Sequence, residues 1–172
     1  MLRAEPRRHE VHLIYVGPCH QVGDTTIHVP KERVVFDGDV LFRQCTPMGW
    51  TGSYEKWFQC LDLILQLDPE VIVPRHGPLC GIERAIEMKA YLEYLCDEAT
   101  KCFDAGLSSL DAAKRIDFGP YGAWRAPARL FMNVERAYRV FCGEPLDAPW
   151  DTAATIDAIY QVAKARGIEV EF

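Results

Sequence analysis

The sequence lacks the features that mark membrane, secreted and nucleic-acid-binding proteins. No apolar run approaches the roughly 20 residues that span a bilayer, and the first residues do not follow the signal-peptide pattern. The 172 residues include 19 Lys and Arg against 25 Asp and Glu, for a net charge of −6. This balance argues against nucleic acid or an anionic membrane as the main partner. The one basic cluster, within residues 3–8, is interpreted as a solvated chain end.

The sequence also lacks a disulfide framework. Its seven cysteines are an odd number at irregular spacing, and no Cys-x-x-Cys pair occurs. This usage predicts reduced thiols and a cytoplasmic protein. Internal repeats, low-complexity tracts and Ser/Gly linkers are missing as well. We therefore predict a single domain over residues 1–172, with a β-rich part at 1–81 and a helical part at 82–172.

The hydrophobic pattern changes period along the chain. Short apolar runs bounded by Gly or Pro predict strands, and helical spacing predicts helices. The predicted strands are residues 11–16, 25–29, 33–36 and 71–73, with a hairpin between the second and third. The first predicted helix begins after Ser53, its N-cap. Three further helices are predicted at 82–105, 108–116 and 125–141, and a last one begins at Asp151 and ends at Gly167. Strands with interleaved helices, followed by helices, indicate an α/β layered fold.

Three loops that each follow a predicted strand contain a possible metal ligand. The ligands are His20, Asp39 and His76. A neutral imidazole and a carboxylate are good ligands for zinc and similar divalent ions. The neighbouring Gly and Pro residues allow tight loops with little steric obstruction. Taken singly these signals are weak, since a histidine beside a turn is more often a surface or hydrogen-bonded residue.

Together and in this order, the loops resemble the metallo-β-lactamase superfamily. The resemblance runs from about residue 11 to residue 81. The positions that fit the family pattern are Gly17-Pro18, His20, Gly23-Asp24, Val35-Phe36, Gly38-Asp39, Leu41-Phe42, Leu67, Pro69, Val73-Pro74 and His76-Gly77-Pro78.

The resemblance implies a fold and a set of roles. The fold would be half of an αββα sandwich, with one mixed sheet and helices on one face. His20 would bind a first metal, Asp39 would bridge two metals, and His76 would bind the second. The ions, zinc or alternatively iron or manganese, would lower the pKa of a bridging water that attacks a carbonyl or ester. Asp24 is expected to hold the His20 loop through backbone N–H groups rather than to bind metal.

The sequence lacks the family's His-x-His-x-Asp-His motif, which carries the other ligands. We therefore expect the C-terminal part of a metal-dependent hydrolase acting on a small-molecule ester, thioester, lactone or amide. By itself this chain is expected to bind metal weakly or not at all, and to have little or no activity. Arg75 replaces a family Gly beside His76, and its charge should weaken metal binding or favour an anionic ligand.

The remaining histidines do not replace the missing motif. His9 and His12 lie at the start of the first predicted strand, where coordination is a minor alternative. His28 lies between two apolar residues, which indicates the opposite face of a strand and a solvent-facing or paired side chain.

No catalytic residue is assigned, but three residues are candidates for a substrate pocket: Arg43, Cys45 and Trp50. Cys19 and Cys45 flank the expected site, either as soft metal ligands or as ordinary buried thiols.

One sheet with helices on a single face would leave its other apolar face in water, which monomers rarely tolerate. We expect a cover, supplied by a second copy in a homodimer or by a separate N-terminal half. The alternative function is a non-catalytic binding or scaffolding homodimer without metal.

Overall fold

The computed structural model describes residues 9–171, so the basic cluster at residues 3–8 lies outside the described part. In this part, no helix has the length and apolar character needed to cross a membrane. The strands are β1 (His12–Tyr15), β2 (Thr25–Val29), β3 (Val34–Phe42) and β4 (Val71–His76). The α-helices are α1 (Tyr54–Gln66), α2 (Ile82–Asp104), α3 (Ser109–Arg115), α4 (Leu130–Phe141) and α5 (Thr152–Arg166).

The four strands form one mixed sheet in the order β1-β2-β3-β4. The pairs β1–β2 and β2–β3 are antiparallel, which confirms the predicted hairpin between the second and third strands. β3 and β4 are parallel, and α1 makes the crossover between them. Because parallel strands end at the same edge of a sheet, the residues at the ends of β3 and β4 lie close together.

The two faces of the sheet have different environments. Val35 and Asp37 of β3 are fully buried beneath the helices, whereas Phe36 between them is 44% exposed on the other face. The strand register continues this open row through Ile27 to Leu13. Helices α1 and α2 pack against the buried face. This is the predicted fold class: a mixed sheet with helices on one face.

The helices begin and end where the sequence indicates caps. The Ser53 side chain accepts a hydrogen bond from the Lys56 N–H at the start of α1. Asp151 caps α5 in the same way, and Gly167 ends it in the left-handed conformation with φ of 65°. Helices α3, α4 and α5 pack on one another and on α2, and the buried side chains form one continuous cluster with the sheet.

Two strands are longer than predicted. β3 continues through Gly38, which has φ of 58°, to Phe42. β4 continues through Pro74 to His76, because the β3–β4 register shifts beside Pro74 and the missing N–H falls at an irregular point of the ladder.

Helix α4 begins later than the predicted residue 125. The Arg125 N–H donates to the Gln44 carbonyl and the Arg125 carbonyl accepts from Thr46 N–H, both at 3.0 Å. These bonds hold the segment extended, and the helix begins at Leu130 after a short 3-10 turn at Pro127–Arg129.

Candidate metal centre

The three predicted ligands lie at one edge of the sheet. Asp39 lies in β3 beyond the glycine bulge, and His76 is the last residue of β4. His20 is in the loop between β1 and β2 that opens at the same edge. Residues distant in sequence are thus brought together by strand order, and the sequence prediction of a strand-end cluster agrees with this placement.

Asp39 is the centre of the cluster. Its Oδ1 lies 3.1 Å from His76 Nε2, and its Oδ2 lies 4.0 Å from His20 Nε2. The two histidines therefore face different oxygens of one carboxylate. Two imidazole nitrogens and one carboxylate are thus gathered at one edge of the sheet.

The loop that carries His20 is held by Asp24. Its Oδ2 accepts hydrogen bonds from the backbone N–H groups of Cys19, His20 and Gln21 at 3.1, 2.6 and 2.9 Å. The Cys19 thiol also donates to this oxygen, at 3.0 Å. The structure thus confirms that Asp24 holds the loop, and it shows that the buried Cys19 thiol is directed at Asp24.

The His20 ring is fixed by a backbone carbonyl. His20 Nδ1 is hydrogen-bonded to the Met48 carbonyl oxygen. A carbonyl oxygen only accepts, so Nδ1 carries a proton, and in the neutral ring the lone pair is on Nε2, which faces Asp39. A metal-binding histidine in proteins usually has this arrangement, with the distal N–H donated to a carbonyl or carboxylate.

His76 is held by stacking and is partly buried. Its ring lies parallel to Phe42, with centroids 4.6 Å apart and an interplanar angle of 8°. Burial lowers the pKa of His76 below the ordinary imidazole value, against the opposing effect of the Asp39 carboxylate. The neutral ring is the form that binds a metal.

The cluster opens onto a cavity of about 540 Å³. Its apolar wall comes from Phe42, Met48 and Trp50. Arg75 lies at the rim with a side chain that is 70% exposed, and its Nε is 3.7 Å from Asp39 Oδ1. The lining also includes the carboxylates of Asp24 and Asp39, so the cavity wall has charges of both signs beside its apolar part.

The three pocket candidates have different positions. Trp50 lines the cavity, whereas Arg43 and Cys45 are not among the described residues that line it. Arg43 Nη1 donates to the Leu79 carbonyl. Cys45 is buried and accepts a hydrogen bond from Arg129 Nη1 at 3.4 Å, and this burial raises the pKa of its thiol.

The other histidines lie away from the cluster. His9 pairs with Glu32 and His12 with Glu10. His28 is buried on the helix-covered face, with its ring edge-on to His12 at 5.8 Å. The expectation of a solvent-facing His28 was therefore wrong. Its register partner is Val35, which faces the helices, so the burial follows from strand pairing.

The donor set suits a divalent ion in chemistry and direction, but it is incomplete. Within residues 9–171, no group of three or more His, Cys, Asp or Glu side chains is arranged to hold a metal ion. His20, Asp39 and His76 bring together only two imidazoles and one carboxylate, with the two Nε2 atoms near different oxygens of Asp39.

Two supporting residues were not predicted from the sequence. Phe42 stacks on His76, and its only sequence signal was a place in the family-like pattern at the end of β3. The Met48 carbonyl that fixes His20 has no sequence signal, because any residue type has a carbonyl and the contact joins positions 28 residues apart.

Comparison with protein families identifies the segment that carries these ligands. Residues 5–76 match the sequence profile of a family described as the Metallo-beta-lactamase superfamily. Over this segment, which is less than half of the chain, the sequence is similar to the metallo-β-lactamase superfamily. The match contains His20, Asp39 and His76. The superfamily includes hydrolases, among them alkylsulfatases.

Solved metallo-β-lactamase structures share the fold. A metallo-beta-lactamase family protein from Thermus thermophilus aligns with 78% of this chain at 17% identity and a TM-score of 0.60, over 45% of its own length. The stereoselective inverting sec-alkylsulfatase Pisa1 from Pseudomonas sp. aligns with 97% of this chain at 15% identity and a TM-score of 0.59, over 33% of its own length. The chain thus spans less than half the length of either protein. No curated protein matches the sequence.

Proposed function

We propose that His20, Asp39 and His76 form part of the divalent-metal centre of a hydrolase. The observation that carries this proposal is the placement of the two Nε2 atoms on different oxygens of Asp39, at 4.0 and 3.1 Å. The hydrogen bond from His20 Nδ1 to the Met48 carbonyl adds to it, because it leaves the lone pair of His20 on the side of Asp39.

In this proposal, His20, Asp39 and His76 would bind the metal ions. His20 and His76 would each bind one ion and Asp39 would bridge them, with zinc as the preferred metal and iron or manganese as alternatives. Such an ion lowers the pKa of a bound water and so supplies a hydroxide nucleophile near neutral pH.

The cavity indicates the kind of substrate. The walls formed by Phe42, Met48 and Trp50 would exclude water from an apolar group, and the rim guanidinium of Arg75 would favour a negative charge. We propose a small-molecule ester, thioester, lactone or amide with an anionic substituent. Sulfate esters belong in the assay panel, since a matched fold is that of an alkylsulfatase.

The rest of the ligand set is proposed to come from another polypeptide segment. The sequence contains no His-x-His-x-Asp-His motif, and a partial set binds a metal more weakly than a complete one. We expect weak metal binding and little hydrolysis from this chain by itself. Hydrolysis should rise when a segment that carries the motif is added.

Metal binding by single-site variants tests the proposal. Zinc uptake by purified protein is measured by equilibrium dialysis and elemental analysis, for wild type, His20→Ala, His76→Ala and Asp39→Ala. The matched control is His12→Ala, because His12 is an exposed histidine paired with Glu10 away from the cluster. Uptake that falls in the three site variants but not in the control supports a metal centre. Equal uptake by all variants would contradict it, as would a folded wild type that takes up no zinc, iron or manganese even when a segment that carries the missing motif is added.

The second candidate is a non-catalytic binding or scaffolding homodimer. The observation that favours it is the open sheet face, on which Leu13, Tyr15 and Phe36 are 72, 62 and 44% exposed. A stable dimer that remains free of metal when dialysed against zinc would favour this function over hydrolysis.

A further inference from the structure

The His20 ligand is not held by its own strands alone. A loop at residues 45–52 lies against it and makes three hydrogen bonds with His20, each through the loop backbone. The His20 Nδ1–H bonds to the Met48 carbonyl, and the N–H groups of Trp50 and Thr51 donate to the His20 carbonyl at 2.9 and 3.3 Å. The orientation of the His20 ring therefore depends on the conformation of this loop.

The loop is in turn held by the helical part of the chain. Asn133 of α4 is fully buried, and its Nδ2 donates to the Pro47 carbonyl at 2.9 Å, next to the peptide whose carbonyl binds His20. Further along, Trp150 Nε1 donates to the Trp50 carbonyl at 2.7 Å. Asn133 lies in α4 and Trp150 just before α5, so the C-terminal half of the chain restrains the conformation of the loop.

Asn133 is itself fixed in place. The Tyr54 hydroxyl donates to its backbone carbonyl at 2.6 Å, and its Nδ2 lies 3.2 Å from the Tyr91 hydroxyl. The loop also fits closely over α4, since a Cβ at Gly49 would lie 1.6 Å from Arg136 Nη1. The loop can therefore approach this helix only with glycine at that position, and Asn133 can set the direction of the neighbouring carbonyls.

We propose that Asn133 is a positioning residue for the His20 ligand. It holds the Pro47–Met48 segment so that the Met48 carbonyl accepts the His20 Nδ1 proton, which keeps the Nε2 lone pair directed at Asp39. The role in metal binding rests on the proposed function. The control of the His20 tautomer does not, because it is a property of the metal-free protein.

The tautomer of His20 is the first readout. Long-range nitrogen–proton NMR correlations of the imidazole rings, assigned with His20→Ala, report which nitrogen carries the proton. We expect the Nδ1–H tautomer in wild type and a mixture in Asn133→Ala. Zinc affinity is the second readout, and a loss of roughly 10- to 100-fold is expected, as for other residues that orient a metal ligand.

Two further variants separate positioning from general destabilisation. Val162→Ala removes buried volume from α5, which packs on α3 and α4, so it should lower stability and leave the tautomer and zinc affinity unchanged. Trp150→Phe retains an aromatic ring beneath Arg139 but removes the N–H that donates to the Trp50 carbonyl. This variant replaces Asn133→Ala in the test if Asn133→Ala does not fold. It should shift both readouts in the same direction by a smaller amount.

Each outcome has a separate meaning. An Nε2–H tautomer in wild type, or an unchanged tautomer in Asn133→Ala and Trp150→Phe, overturns the positioning role. A tautomer shift in a protein that takes up no metal confirms the positioning role and contradicts the metal centre instead.

Discussion

A single carboxylate holds the loop that presents His20. One oxygen of Asp24 accepts three backbone N–H groups and the Cys19 thiol, so its removal leaves several donors without a partner. Hydrogen bonds to a charged acceptor are each worth about 1.5–3 kcal/mol, but partial exposure lets water replace some of them. We therefore expect Asp24→Ala to lower the free energy of unfolding by about 2 kcal/mol, measured by urea denaturation.

The matched control for Asp24 is Asp68. Asp68 is a surface carboxylate paired with Arg33 at 2.7 Å, and exposed ion pairs contribute about 0–1 kcal/mol. Asp68→Ala should therefore cost less than Asp24→Ala. Equal losses in the two variants would show that Asp24 is no more than another surface charge.

Single residues show what the sequence could and could not predict about the site. The gathering of His20, Asp39 and His76 at one edge of the sheet was predictable, because Gly and Pro residues indicate where strands end. Asp39 and His76 nevertheless lie within longer strands rather than in the loops that the sequence indicated. The role of Asp24 was predictable too, since its N–H partners are within five residues of it. The contact of Asn133 with Pro47 joins residues 86 apart, and local patterns carry no information at that separation.

Helix α1 joins β3 to β4, and its first turn is stabilised by a side-chain cap. Ser53 accepts the Lys56 N–H, and replacing such a cap with Ala costs about 1 kcal/mol, whereas Gly costs a few tenths. Ser53→Ala should therefore lower the free energy of unfolding by about 1 kcal/mol, with Ser53→Gly as the matched control. Thermal unfolding followed by circular dichroism checks this order. A Ser53→Ala variant as stable as wild type would mean that the hydroxyl does not act as the cap.

The start of a helix was predictable where a local capping signal marks it. The end of an element was not predictable where a contact with a distant segment determines it. Ser53 and Asp151 gave the starts of α1 and α5 because capping is a local hydrogen bond. The end of β4 at His76 and the start of α4 at Leu130 depend on other segments, namely the bulged β3 ladder and the pairing of Arg125 with residues 44 and 46. The hydrophobic periodicity of a segment contains no information about which distant segment pairs with it.

At the scale of the whole molecule, the described residues leave one face of the sheet uncovered. Leu13 and Phe36 lie in the same cross-strand row of this face, and β1 is an edge strand of the described sheet. An apolar sheet face of this kind is usually covered by a partner. We predict a symmetric homodimer through this face, in which each copy covers the other.

Sedimentation velocity at micromolar concentration tests the dimer. Wild type should sediment as a dimer, and Leu13→Lys should shift it towards the monomer, because a charge at a contact of two apolar faces loses its hydration. The control is Ile86→Lys, since Ile86 is 52% exposed on α2, away from this face. A wild type that sediments as a folded monomer would contradict the homodimer, and the open face would then be covered by a different polypeptide. A polypeptide with the His-x-His-x-Asp-His motif should then bind wild type and not Leu13→Lys, which would place the missing ligands and the missing sheet in one partner.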